Sequence, residues 1–133
     1  MTAELTILGW TLLLAVIQIL LPGMLRTSET GVDYNAGPRD APSPVPVGKV
    51  TARLLRAQRN LFETLPLFAA AILIAHVAGR NGDLTYWGAL LYFASRVLYV
   101  PLYAFGVPVV RSIVWAVGLS GLALVLAAIL IPS

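Results

Sequence analysis

Apolar residues fall along the chain in four long runs, separated by short polar or Gly- and Pro-containing breaks. The first goes from Leu5 to Leu25, with Gln18 as its one strongly polar side chain, and Arg26 closes it. The others go from Leu61 to Val77, from Leu84 to Phe105 and from Val109 to Ile131. Runs of about 20 apolar residues suffice to cross a hydrocarbon core of roughly 30 Å as helix, and each of these is bounded by Gly, Pro or charge, as membrane spans are. Extended to their polar flanks, the runs predict an all-α integral membrane protein, a four-transmembrane-helix bundle in one domain, residues 1–133. The spans are expected over 4–25, 49–79, 84–106 and 109–131, with a loop over 26–48. The first run reads as a span and not as a cleaved signal peptide, because Glu4 precedes it without any Lys or Arg and no A-x-A site follows.

The polar positions inside these helices are not scattered. At about 100° per residue, Arg53, Arg56, Asn60 and Glu63 fall on one stripe of the second helix, with Arg59 at its margin. Tyr92, Arg96, Tyr99 and Tyr103 form a second stripe on the third. The short connection Arg80-Asn81-Gly82-Asp83 makes these two helices antiparallel neighbours. Ionisable groups at membrane depth cost at least ~2.5 kcal/mol each, so they face protein or a water-filled cavity and pair with one another. Glu63 lies roughly 20 Å along its helix, deep enough to need a partner, and Arg96 is the expected one. A buried Glu63–Arg96 pair with Asn60 as interhelical glue explains two residues. It leaves Arg53, Arg56 and Arg111 as surplus cations that an anionic ligand would neutralise. Tyr86 and Trp87 read as an interfacial aromatic belt, whereas Tyr99 and Tyr103 read either as belt or as site.

Composition narrows the chemistry. Of 133 residues 59% are apolar and 11% charged, more apolar surface than a soluble domain of this size can bury. The chain has no cysteine, which excludes disulfides and a protein thiolate, so any thiol must arrive with a substrate. The lone His76 reads as a structural or interfacial residue. The net charge of +3 does not call for nucleic acid here, because the basic residues flank spans. Arg26, Arg39, Lys49, Arg53 and Arg111 lie on one side against Arg80 on the other, which makes the first and third loops cytoplasmic and puts both termini on the opposite side. In the first loop, Pro42, Pro44 and Pro46 favour an extended, polyproline-like path across the cytoplasmic surface, as a stiff connector or as a lid.

The run Arg53-x-x-Arg56-Ala57-Gln58-x-Asn60-x-x-Glu63-x-x-Pro66-x-Phe68 resembles the signature of the MAPEG family, the membrane-associated proteins of eicosanoid and glutathione metabolism. Arg96-x-x-Tyr99-x-x-x-Tyr103, followed by Arg111-Ser112, is similar to the family's second block. The resemblance implies a four-helix bundle assembled as a homotrimer, with glutathione bound between neighbouring subunits near the cytoplasmic side. It implies that Arg56, Gln58, Asn60, Glu63, Tyr99 and Tyr103 hold glutathione, with Arg53 and Arg96 in support, and that Arg111 lowers the thiol pKa. Glutathione would serve as co-substrate, attacking a small lipophilic electrophile or lipid hydroperoxide delivered by membrane lipid. The chain departs from the enzyme pattern twice. Thr64 follows the motif glutamate where tyrosine is frequent, and the Tyr103 to Arg111 spacing differs by about one residue, which aligns Val110 with the enzymes' arginine. Two readings therefore stand: a glutathione-dependent transferase or peroxidase, and a non-catalytic lipid-binding or scaffolding protein of the same fold. A small transporter or channel is a third and weaker reading, because the stripes involve only two helices and are rich in arginine.

Overall fold

The computed structural model describes residues 1–41, 43 and 45–132. Among these residues five helices follow one another: α1 (Ala3–Thr30), α2 (Val32–Ala36), α3 (Lys49–Val77), α4 (Asp83–Ala104) and α5 (Pro108–Leu130). The helix count thus exceeds the expected four by α2, a five-residue turn inside the first loop. Helices α1, α3 and α5 are long and apolar enough to cross a membrane. Helix α4, at 22 residues, reaches roughly 33 Å but is not among these three, and it carries Asp83, Arg96 and a series of tyrosines.

What the helices bury and what they leave bare are both apolar. Leu61, Phe68, Ile72, Ala89, Tyr92 and Val125 are fully buried and join Leu8, Leu65 and Leu122 in one core. Outside, Leu12, Val16, Ile19 and Leu20 of α1 and Ile113, Val117 and Leu126 of α5 are exposed. So continuous an apolar exterior is stable only against lipid, and the chain is an integral membrane protein.

The closest helix pair is α4 and α5. A methyl group on Gly88 would lie 2.6 Å from the Gly121 carbonyl oxygen, and one on Gly121 would lie 2.5 Å from that of Gly88. Gly118 similarly accommodates the Ser95 hydroxyl, which donates to the Tyr92 carbonyl at 2.8 Å. Small residues let helices that lack a hydrophobic drive to associate gain dispersion contacts between their backbones. Of the small residues on α5, Gly118 and Gly121 are buried in this contact, while Ser120 is exposed and bonds back to Ala116. At the far end of the bundle the buried Glu4 accepts from Thr85 Oγ1 at 3.3 Å, so its carboxylate sits against the positive end of α4.

The first loop is tied to the helices it joins. Helix α1 runs five residues beyond the expected end at Leu25, supported by the Arg26–Glu29 ion pair at 2.9 Å and by Thr27 and Thr30 hydroxyls bonded to carbonyls one turn back. Gly31, at φ 91°, ends it and starts α2. Arg26 then donates to the carbonyls of Val45 (2.8 Å) and Pro46 (3.1 Å). Glu29 accepts from the Gly48 amide (3.2 Å) and the Thr51 hydroxyl (2.7 Å). These bonds make the segment a fastened connector at the mouth of α3. Pro42 and Pro44, two of the three prolines expected to set an extended path, lie outside the described residues.

Candidate functional site

Antiparallel packing of α3 on α4 decides which members of the two polar stripes meet. Asn60 Oδ1 accepts from Arg96 Nη1 at 2.8 Å, and one turn further along α3 and back along α4 the Thr64 hydroxyl bonds the Tyr92 hydroxyl at 2.8 Å. In this register Glu63 is level with Tyr92 and Phe93, about a turn from Arg96. The expected Glu63–Arg96 ion pair is therefore not formed: among the described residues the one ion pair is Arg26–Glu29, and Glu63 is exposed. Arg96 is 2% exposed; it also reaches the Ala57 carbonyl at 3.5 Å and lies 4.3 Å over the Tyr99 ring. An aromatic face gives a desolvated guanidinium partial compensation for lost water.

Tyr92 leaves the stripe for the core. It is 1% exposed, stacks on Phe68 with centroids 4.0 Å apart, and its hydroxyl is met by Thr64. The residue that replaces a frequent family tyrosine thus has a structural partner. Arg53 is likewise engaged within the fold. Its Nη1 donates to the Ala104 carbonyl at 3.2 Å, and its guanidinium lies against Gly106, where an added Cβ would come 2.9 Å from Cζ. A cation at the last carbonyls of α4 is favourable to the helix dipole. Gly106 itself, at φ 69°, closes α4, with the Val107 amide bonded back to Leu102 at 3.0 Å.

The remaining stripe residues converge near the C-terminal end of α4. Tyr99 and Tyr103 meet edge to face at 5.3 Å. Arg111, from the first turn of α5, stacks on Tyr103 with Cζ 4.6 Å from the centroid, and Arg56 of α3 approaches the same ring at 5.8 Å. Asn60, Tyr99, Tyr103, Arg111, Ser112 and Trp115 line a cleft of about 160 Å³. Among the described residues no carboxylate pairs with Arg56 or Arg111. Trp115 is the wall that sequence reasoning missed; its spacing of four from Arg111 puts it on the same face of α5. Val110, aligned with the enzymes' arginine, is 48% exposed and lines no part of the cleft.

Gln58 is not part of this cleft. Two residues before Asn60, it lies about 200° round α3, where it lines a separate hollow with Leu55, Arg59 and Phe62. Glu63 lines neither. Within one chain the structure therefore gathers Arg56, Asn60, Arg96, Tyr99, Tyr103 and Arg111, uses Arg53 to cap α4, and leaves Gln58 and Glu63 outside the cleft.

Comparison with curated proteins and with solved structures returns no match. The model of the MAPEG family matches residues 7–131, nearly the whole chain and all four long helices, and with cations, tyrosines and an asparagine gathered at the end of α4 the protein belongs to the MAPEG family.

Proposed function

We propose that the protein is a glutathione-dependent transferase or peroxidase acting on lipophilic electrophiles or lipid hydroperoxides. The supporting observation is the pair of guanidinium groups, Arg56 and Arg111, held on the Tyr103 ring at a polar cleft with no carboxylate paired to them among the described residues. Glutathione has two carboxylates, which arginines take in paired hydrogen bonds, and one ammonium, for which the exposed Glu63 is the matching group. Arg111 near the sulfur favours thiolate, the nucleophilic form, in a chain that has no cysteine of its own. In transfer, the thiolate forms a C–S bond as the leaving group departs with its electron pair. In reduction of a hydroperoxide, the thiolate attacks the terminal oxygen, an S–O bond forms as the O–O bond breaks, and the alkoxide leaves with a proton as alcohol; a second glutathione thiol then displaces water from the resulting sulfenic acid to give the disulfide.

A cleft of about 160 Å³ is small for a tripeptide. The reading therefore includes the homotrimer, in which the Gln58 face of one subunit completes the cleft of the next. It also puts four spans in the membrane, α4 among them, and the cleft near the cytoplasmic side, at the end of the bundle where Arg26, Arg39, Lys49, Arg53 and Arg111 lie. Purified protein supplied with glutathione and either an aryl halide or cumene hydroperoxide should turn over, with Arg111→Ala strongly impaired. No activity on either, together with no heat of glutathione binding, would overturn the assignment.

One observation favours a second reading, a non-catalytic lipid-binding or scaffolding protein. Thr64 stands in place of a frequent tyrosine and is engaged with Tyr92 in the core, so it is not free to hold a ligand. A membrane partner recovered in stoichiometric amount, with the polar stripe residues mutable to no effect, is the outcome that reading requires.

A further inference from the structure

Gln18 is the one strongly polar side chain in the first apolar run, and none of the chemistry above uses it. It is 3% exposed, and neither its amide nitrogen nor its amide oxygen has a hydrogen-bond partner among the described residues. Buried amide groups are otherwise nearly always paired, and here the side chain borders a cavity of about 310 Å³. The walls are Leu14, Leu21 and Pro22 of α1, Leu54 of α3, and Val97 and Val100 of α4, so among the described residues Gln18 is the one polar residue of the lining, its amide tip recessed behind the apolar walls. This cavity shares no residue with the Tyr103 cleft. Ile17 and Val97 at its rim are 48% and 40% exposed, which opens it on the apolar flank between α1 and α4. Gln18 precedes Leu25 by seven residues, roughly 10 Å along the helix, and thus lies inside the hydrocarbon layer.

We propose that this cavity is a binding site for an uncharged, single-chain lipophile bearing a hydroxyl group, whose head bonds the Gln18 amide once that side chain rotates toward the cavity, while its tail lies along the apolar walls. The chemistry selects the class. A purely hydrocarbon tail would leave both amide groups unmet, and a carboxylate or ammonium would bring a charge that no lining residue opposes. A hydroxyl is the smallest head that accepts from the amide nitrogen and donates to the amide oxygen at once. The volume accommodates roughly ten non-hydrogen atoms at about 30 Å³ each, the size of a medium-chain alcohol. The site is independent of glutathione chemistry and stands or falls without it.

The test uses the full chain in phosphatidylcholine nanodiscs, with 1-decanol bearing a photoreactive diazirine on its chain as the probe. Labelling should saturate, map to the α1 and α4 segments around Gln18 and Val97, and be displaced by 1-decanol but not by decyl methyl ether, which cannot donate. Gln18→Leu, checked for folding by its melting temperature, should weaken labelling about tenfold. Val100→Phe, which fills the cavity and keeps the amide, should abolish it. Equal labelling of wild type and Gln18→Leu, equal competition by the ether, or no labelling of these segments in wild type would overturn the proposal. The last result would mean that a lipid tail, water or a neighbouring subunit fills the space.

Discussion

Arg111 stacks on Tyr103 from the first turn of α5, while its neighbour Val110 is exposed and lines no part of the cleft. On the proposed chemistry, removing that cation raises the pKa of the bound thiol. Arg111→Ala should lower kcat/KM about a hundredfold, and the ultraviolet absorbance of bound thiolate should appear only at higher pH; an unchanged thiolate titration would assign the loss to something else. A second residue-scale prediction concerns Thr64. Thr64→Val strands the Tyr92 hydroxyl in the core at a cost of about 1–3 kcal/mol, seen as a lower melting temperature, while Tyr92→Phe made in addition should restore part of the loss. Such residues show where reading the chain stops short. The wheel put Tyr92 and Arg96 on one face of α4, as it put Asn60 and Glu63 on one face of α3. Which of them touch depends on the stagger between helices, and that pairs Asn60 with Arg96 and Thr64 with Tyr92.

At the scale of elements, helix ends and crossings are where single glycines matter most. Gly106 takes φ 69° beside the Arg53 guanidinium that caps α4. Gly106→Ala should cost roughly 1–2 kcal/mol for the left-handed backbone, together with displacement of Arg53, and should lower the melting temperature even without glutathione. Gly121→Leu should be worse, because it drives a side chain into the Gly88 backbone and must part α4 from α5; a loss toward the top of the roughly 1–3 kcal/mol seen for overpacking is expected in the same assay. A variant that melts like wild type would contradict this close crossing. In the sequence Gly106 stands in the break between the third and fourth apolar runs, and Gly121 lies close to Gly118 and Ser120 in the fourth. Its partner across the contact, Gly88, looked like any glycine in a membrane span. The extension of α1 to Thr30 and the turn α2 were hidden for another reason: they rest on Arg26, Glu29 and Asn35 contacts that a hydrophobic pattern does not encode.

The whole molecule raises the question of how Gln58 could serve a cleft it does not line. If neighbouring subunits share each site, membranes containing a mixture of Gln58→Ala and Arg111→Ala chains should regain glutathione-dependent turnover above either variant alone. On that arrangement, some sites in a mixed assembly would join an intact Gln58 to an intact Arg111. Activity that never exceeds the average of the two parents would place the whole site within one chain. The sequence alone determined that the chain is helical and lies in lipid, because apolar runs of span length are incompatible with water whatever they pack against. It also determined that arginines, tyrosines and an asparagine share helix faces, since periodicity is a property of one helix. Tertiary structure decided which cation is consumed in capping, which is buried on a ring and which have no paired carboxylate among the described residues. Those outcomes depend on distances of a few ångströms between helices, and no single helix specifies its stagger against another.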